Sequence, residues 1–169
     1  MPEAVIAIGS NVGNRLSYLR KAVDQLHSIG KVLSVAPLYE TTPYGFKEQP
    51  DFLNSVILMQ TTLFPHDLLQ RLKDIETAVG RKKREKWGPR EIDLDIIFYD
   101  NLSLHSADLT IPHPDFRNRR FVLKPLNDIA PQWKSPLDGE TVSEMLDKCI
   151  DETIIEMLES DWYPDGIKI

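Results

Sequence analysis

Two stretches of helical spacing, each closed by a glycine, alternate with four runs of β-type residues, and that order leaves few folds open. Ala4 to Ile8 is a short apolar run that enters a turn at Gly9-Ser10-Asn11, which predicts a buried first strand. Asn14 is placed to cap the next segment, where Leu16, Leu19, Ala22, Val23, Leu26 and Ile29 recur at three- and four-residue steps before Gly30. Val32 to Tyr39 reads as a second strand, and Pro37 within it implies an edge or a bulge because proline donates no ladder hydrogen bond. A loop over 40–51 precedes a third strand from Phe52 to Thr62. Pro65 then opens a helix carried by Leu68, Leu69, Leu72, Ile75, Glu76 and Val79 as far as Gly80, and Ile92 to Tyr99 forms a fourth strand stopped by Asp100-Asn101. This order is the split βαβ pattern of a ferredoxin-like α+β sheet with flanking helices. Beyond it, Asp115 to Ala130 predicts a short helix beside the sheet. Thr141-Val142-Ser143-Glu144 matches a capping box ahead of Met145, Leu146, Cys149, Ile150 and Ile154, so an added C-terminal helix is expected within an acidic tail over 138–169.

With 169 residues, 41% of them hydrophobic, the chain has apolar material for one core, and a single domain over 1–169 is expected. A chain of roughly 150 residues buries close to 70% of the surface its unfolded form exposes, enough to fold without covalent staples. Its single cysteine, Cys149, forms no internal disulfide and suits a reducing compartment. The longest apolar runs fall far short of the ~20 residues of a spanning helix, and no basic segment precedes the first one. A cytoplasmic location, with no membrane partner, is the expectation.

Charge is unevenly placed. Residues 81–90 carry Arg81, Lys82, Lys83, Arg84, Lys86 and Arg90 against Glu85 alone, and residues 117–124 carry Arg117, Arg119, Arg120 and Lys124 with no acid, inside a chain of net charge −6. The stretch from Asp138 to Ile169 holds ten acids and two lysines. Such a surface repels nucleic acid over most of its area, while two focused basic patches suit a small polyanion.

The sharpest chemical signal runs from Trp87-Gly88-Pro89-Arg90 through Glu91-Ile92-Asp93-Leu94-Asp95-Ile96-Ile97. Side chains alternate along a strand, so Asp93 and Asp95 share one face while Ile92, Leu94 and Ile96 point to a core. Two adjacent carboxylates repel unless a cation lies between them, and one or two carboxylates plus substrate phosphates is the usual way magnesium is held. Taken alone, such a pair also suits a solvated edge strand, and a charge run also suits a solvated loop. Together they place a metal and positive donors in one site, as phosphoryl-type transfer requires. Gly88-Pro89 fixes a turn that holds Arg90 near the aspartates, and arginine grips phosphate oxygens bidentately. The segment from Gly9 to Asn14 lacks the ending of a P-loop and reads as a tight turn, and Ser10 has no identifiable base for nucleophilic work. His27 and His66 are expected at the surface, whereas His113, between Pro112 and Pro114 and close to the second basic patch, is a better functional candidate.

The segment from Arg84 to Ile97 resembles the signature of the 6-hydroxymethyl-7,8-dihydropterin pyrophosphokinases of folate biosynthesis, and the similarity extends from Ala4 to about Pro131. Further pieces occur in order: Gly9-Ser10-Asn11, Tyr39-Glu40-Thr41-Thr42-Pro43, Gln49-Pro50-Asp51-Phe52-Leu53-Asn54, and Pro112-His113 followed by Asn118-Arg119-Arg120-Phe121. The resemblance implies transfer of pyrophosphate from MgATP to the pterin hydroxymethyl group, with release of AMP. It places two magnesium ions at Asp93 and Asp95, ATP phosphates at Arg81 and Arg90, and further nucleotide contacts at Glu76, His113 and Arg119. It places the pterin among Thr41, Thr42, Tyr44, Phe52, Asn54 and Phe121, with Trp87 in a basic loop over 81–88 expected to close as a lid.

The chain departs from the family pattern in that loop, which is one residue shorter, so the second loop cation corresponds to Lys82, Lys83 or Arg84. Phe52, Pro114 and Lys73 also stand where the family more often has tyrosine, tyrosine and glutamine. The residue types suit the chemistry independently, because a flat polar bicycle binds well between aromatic rings with an amide reading its edge. The expected partners are therefore the two small-molecule substrates, with the chain acting as a monomer. Two competing readings remain at this level. An RNA-binding module on the same fold would show exposed strand aromatics in a glycine-bearing basic motif, which is missing here. A metal-dependent phosphohydrolase would use the same two aspartates to activate water.

Overall fold

A computed structural model describes residues 1–43, 48–82 and 88–163. Strand β1 (Glu3–Ser10) lies inside the main sheet and pairs antiparallel with β4 (Phe52–Gln60) on one side and β5 (Asp93–Tyr99) on the other. The expected second strand is two pieces, β2 (Lys31–Val35) and β3 (Leu38–Thr41), both paired to β4. Pro37 marks the break: without an N–H it cannot continue the ladder, and the chain steps along β4 at that point. The resulting order, β5-β1-β4 with β2 and β3 beyond, is the ferredoxin-like arrangement that the order of elements predicts. A two-stranded ribbon of β6 (Leu104–His105) and β7 (Thr110–Ile111) follows β5, and sequence periodicity gave no sign of it because each strand is only two residues long.

Helices cover both faces of the sheet. On one, α1 (Arg15–Leu26) and α2 (Pro65–Val79) bury Leu19, Val23, Leu26, Leu68, Leu72 and Ile75 against Ile6, Ile8, Ile57, Leu94 and Ile96. The Asn14 side chain caps α1 by accepting from the Ser17 amide at 3.2 Å, and Pro65 occupies the first turn of α2, where its missing N–H is of no consequence. Gly80 ends α2 at φ 130°, a conformation that favours glycine. On the other face, α3 (Arg120–Ile129) and α4 (Val142–Lys148) pack Val122, Leu123, Leu126, Val142 and Met145 onto Val5, Val56, Ile97 and Phe98. Each fully buried aliphatic or aromatic side chain contributes about 1.5–3 kcal/mol, so β1 and β4, buried on both faces, are the most stabilised part of the sheet.

The tail differs from its expected form. The capping box at Thr141 and Glu144 is present, yet α4 stops at Lys148 and does not reach Ile154. Ile150 and Ile154 are 88% and 71% exposed, so continued helix would have gained little burial. The chain instead extends as β8 (Ile155–Glu159), which adds to the edge of β3. Trp162 then enters the α1 side of the core, fully buried, with its indole N–H donating to the Ala36 carbonyl at 2.8 Å. A solvated acidic helix therefore describes only the first part of this tail.

Candidate active site

Sheet register assembles the site. Gly9 on β1 lies opposite Asp93 on β5 and opposite Asn54 on β4, which in turn faces Tyr39 on β3. Directly paired residues share a face, so Asp93, Gly9, Asn54 and Tyr39 form one cross-strand row, and Asp95, paired with Ala7, stands one step along. This is the α3-bearing face, and the cleft opens where α3 begins. It is lined by Thr41, Thr42, Phe52 and Asn54 on one side and by Arg90, Asp93, Asp95, Arg119 and Phe121 on the other, with Gly9 in its floor. A Cβ on Gly9 would sit 2.6 Å from the Asn54 amide oxygen, so glycine is required for the amide to keep its place.

The charged half is a lattice of carboxylates and guanidinium groups. Arg81 reaches Glu76 at 2.9 Å and Asp93 at 3.2 Å, and Arg90 reaches the other oxygen of Asp93 at 3.2 Å. Glu76, buried on α2, also accepts from the Leu94 amide at 2.8 Å, tying the helix to β5 between the two aspartates. Burial, and next the nearby Asp93 charge, raise the Glu76 carboxyl to about 7. Burial and then Asp93 likewise hold the Asp95 carboxyl well above the ordinary range, with Arg119 and Arg90 opposing. Two acids crowded in this way favour a bound cation. Their oxygen-only donors, open to the cleft, fit a hard divalent ion such as magnesium.

The uncharged half satisfies itself. The Asn54 amide donates to the Thr41 hydroxyl at 2.6 Å, and Phe52 and Phe121 present apolar surface to the same cleft. Arg119 lies over the Phe121 ring at 5.7 Å and pairs with Asp115 at 3.3 Å. His113 borders Asp95 in an adjoining hollow formed with Leu69, Ile96, Thr110 and Pro114. Its Nδ1 accepts from the Asp115 amide at 3.2 Å, and burial, followed by the Arg119 charge, depresses its pKa to about 4. Histidine is therefore neutral here at pH 7.

The structure thus brings Thr41, Thr42, Phe52, Asn54, Glu76, Arg81, Arg90, Asp93, Asp95, His113, Arg119 and Phe121 to one cleft and its margin. Tyr44 and Trp87, with most of the basic loop including Lys83 and Arg84, lie outside the described residues. Lys82 is described: exposed, its amide donates to the buried Glu91 carboxylate at 3.2 Å. His27 and His66 are exposed, as expected. One residue was passed over as a turn former. Asn11 is buried, exchanges two hydrogen bonds with the Arg90 backbone at 2.8 and 3.1 Å, and donates to Gln49 and the Pro50 carbonyl at 2.8 and 3.0 Å. Only proximity across 79 residues reveals this.

The model of one family, 7,8-dihydro-6-hydroxymethylpterin-pyrophosphokinase (HPPK), matches residues 5–131. Among curated relatives, the 2-amino-4-hydroxy-6-hydroxymethyldihydropteridine pyrophosphokinase of Aquifex aeolicus is 39% identical over 85% of this chain and 90% of its own length. The Bacillus subtilis protein of the same name is 42% identical over 83% of this chain and 86% of its own. A crystal structure of Plasmodium falciparum HPPK-DHPS superposes with a TM-score of 0.73 over 87% of this chain and 43% of that one, at 17% identity, which speaks for the fold alone. With a family match across most of the chain and close relatives matched nearly end to end, the chain belongs to the HPPK family.

Proposed function

We propose that the cleft transfers the pyrophosphoryl group of ATP to the hydroxymethyl oxygen of 6-hydroxymethyl-7,8-dihydropterin, giving AMP and the pterin diphosphate. The observation that carries this reading is the sheet register, which sets a carboxylate pair and an amide-aromatic pocket side by side on one sheet face. The pterin lies between Phe52 and Phe121, its edge read by Asn54 and the Thr41 and Thr42 hydroxyls, so that its hydroxymethyl group projects toward Asp93 and Asp95. Arg90, Arg81 and Arg119 take the ATP phosphates, and their guanidinium groups stabilise the charge that spreads as the β-phosphorus leaves the α-phosphate. His113, neutral, borders the nucleotide side, and Glu76 positions Arg81. Asp93 and Asp95 would hold two magnesium ions, and the chemistry these would supply is neutralisation of the triphosphate charge and orientation of the hydroxymethyl oxygen. Much of the rate then comes from holding two reactants in line, which needs no dedicated base. Tyr44 and Trp87 complete the pterin side in this reading, by family resemblance.

Incubation with ATP, magnesium and the hydroxymethyl dihydropterin, followed by mass analysis, tests this directly. AMP and a pterin heavier by two phosphates are expected in equal amounts. Release of phosphate or pyrophosphate from ATP at the same rate without pterin would replace the reading with that of a phosphohydrolase.

A further inference from the structure

The two walls of the pterin cleft come from different elements, and the C-terminal segment touches both. One wall, Thr41 and Thr42, ends β3; the other, Arg119 and Phe121, flanks the start of α3. At the far end of α3, the Tyr39 hydroxyl on β3 donates to Asp128. That tie lies about 12 Å from Arg120 along the helix, so by itself it does not hold the Arg119–Phe121 end against β3.

Residues 149–155 supply the second tie. The Asp151 carboxylate accepts from the Arg120 amide at 2.9 Å through one oxygen and from the Thr153 amide and hydroxyl at 2.9 and 2.5 Å through the other. The Arg120 guanidinium donates to the Asp151 carbonyl at 3.2 Å and the Cys149 carbonyl at 3.0 Å. Three residues on, the Ile154 carbonyl accepts from the Thr42 amide at 3.0 Å, and the Ile154 amide donates to the Thr42 hydroxyl at 3.1 Å, before Ile155 enters the β3 ladder opposite Thr41. The segment is anchored downstream by Trp162 in the core. None of its residues lines the cleft.

On the pyrophosphokinase reading above, we infer that Asp151 is a positioning residue: it fixes the gap between Thr41-Thr42 and Arg119-Phe121, and so sets how tightly the pterin is held. One end bonds to the Arg120 backbone between the cleft residues Arg119 and Phe121, and the other to the amide and hydroxyl of Thr42, so losing Asp151 moves the walls without removing a group that touches substrate. A displacement of one wall weakens the ligand that spans the gap, which is the pterin, more than the nucleotide held on the charged side.

Asp151→Ala tests this in two ways. In the ligand-free protein, amide hydrogen exchange at Thr42 is expected to quicken about tenfold, because the bridge that holds its acceptor has lost its other support, while exchange at the buried Thr61, just past the far end of β4 with its amide on the Pro2 carbonyl, stays unchanged. In turnover, KM for the pterin is expected to rise about tenfold with kcat and the KM for ATP within about twofold. Asp151→Asn keeps one acceptor oxygen and is expected to recover part of both effects. Arg120→Ala, which removes the two guanidinium bonds, is expected to show the same split at smaller size, and serves if Asp151→Ala does not fold. Unchanged exchange at Thr42, or equal rises in both KM values, would overturn the inference. The exchange measurement needs no substrate, so it judges the bridge even if the wild-type protein leaves the pterin unreacted, an outcome that would sink the functional reading instead.

Discussion

The two halves of the cleft are built on opposite terms. On the neutral side, Asn54 and Thr41 already hydrogen-bond each other, and the aromatic rings lie ready before any ligand arrives. On the charged side, Glu76, Asp93 and Asp95 crowd together, and arginines only partly compensate them. The first half is preorganised for a flat uncharged ring, at little cost to the empty protein. The second stores carboxylate repulsion that a bound cation relieves, so binding there is coupled to the charge state of the site.

The largest effect should come from breaking the charged half. Asp95→Asn keeps the shape but removes a proposed anionic metal ligand, and turnover is expected to fall roughly a thousandfold, equivalent to several kcal/mol of lost transition-state stabilisation. The same variant should unfold at higher temperature than the wild type when metal is withheld, because burial and Asp93 both penalise the Asp95 charge. Calorimetry of the metal-free proteins checks the second half of this expectation; a lower melting temperature would mean that the crowding is not repulsive.

Next in size is a break in the neutral half. Asn54→Ala strands the Thr41 hydroxyl and removes the amide proposed to read the pterin edge. The affinity for pterin is expected to drop by about 1–3 kcal/mol, measured by titration calorimetry, while MgATP binds as before. Phe121→Ala should cost less, roughly 0.5–1.5 kcal/mol beyond the area it buries, again for the pterin more than for ATP. Equal losses for both ligands would show that the two halves are not independent, Arg119 over the Phe121 ring being the contact through which they would communicate.

The remaining effect is on folding stability and depends on pH. His113 is held at about 4 in the folded protein against 6.5 in an unfolded chain. Between those values the unfolded state binds a proton that the folded state refuses, so this contribution to stability is full above 6.5 and is lost as pH falls toward 4. Glu76, raised from 4.5 to about 7, works in the opposite sense: its contribution is present below 4.5 and is lost as pH rises through 7. His113→Gln should therefore flatten the decline in urea stability between pH 7 and pH 5, and Glu76→Gln should stabilise the metal-free protein at pH 8 more than at pH 5. A His113→Gln variant with the wild-type slope would mean that the histidine is not buried neutral.

How far the sequence reached follows the range of the forces involved. Alternation along 93–99 and helical spacing in α1 and α2 are local, and the strand, helix, strand, strand, helix, strand order follows from them, as do the shared face of Asp93 and Asp95 and the break that Pro37 causes. The roles of Phe52, Asn54 and Phe121 came from family resemblance, because an isolated aromatic or amide reads equally well as core. The tail shows the limit most clearly. The capping box at Thr141 specified where α4 begins, but where it ends depended on Asp151 finding the Arg120 amide and on Trp162 finding the Ala36 carbonyl, partners 31 and 126 residues away.

The sequence by itself determined the elements, their order and the carboxylate pair, because each of these is written in residues a few positions apart. Tertiary structure alone decided that Gly9 must lack a side chain to make room for Asn54, that Asn11 holds Arg90, that Glu76 sits between the two aspartates, and that the tail ties both walls of the cleft together. Those outcomes rest on register and burial, which couple distant segments through single hydrogen bonds and leave no periodic trace along the chain.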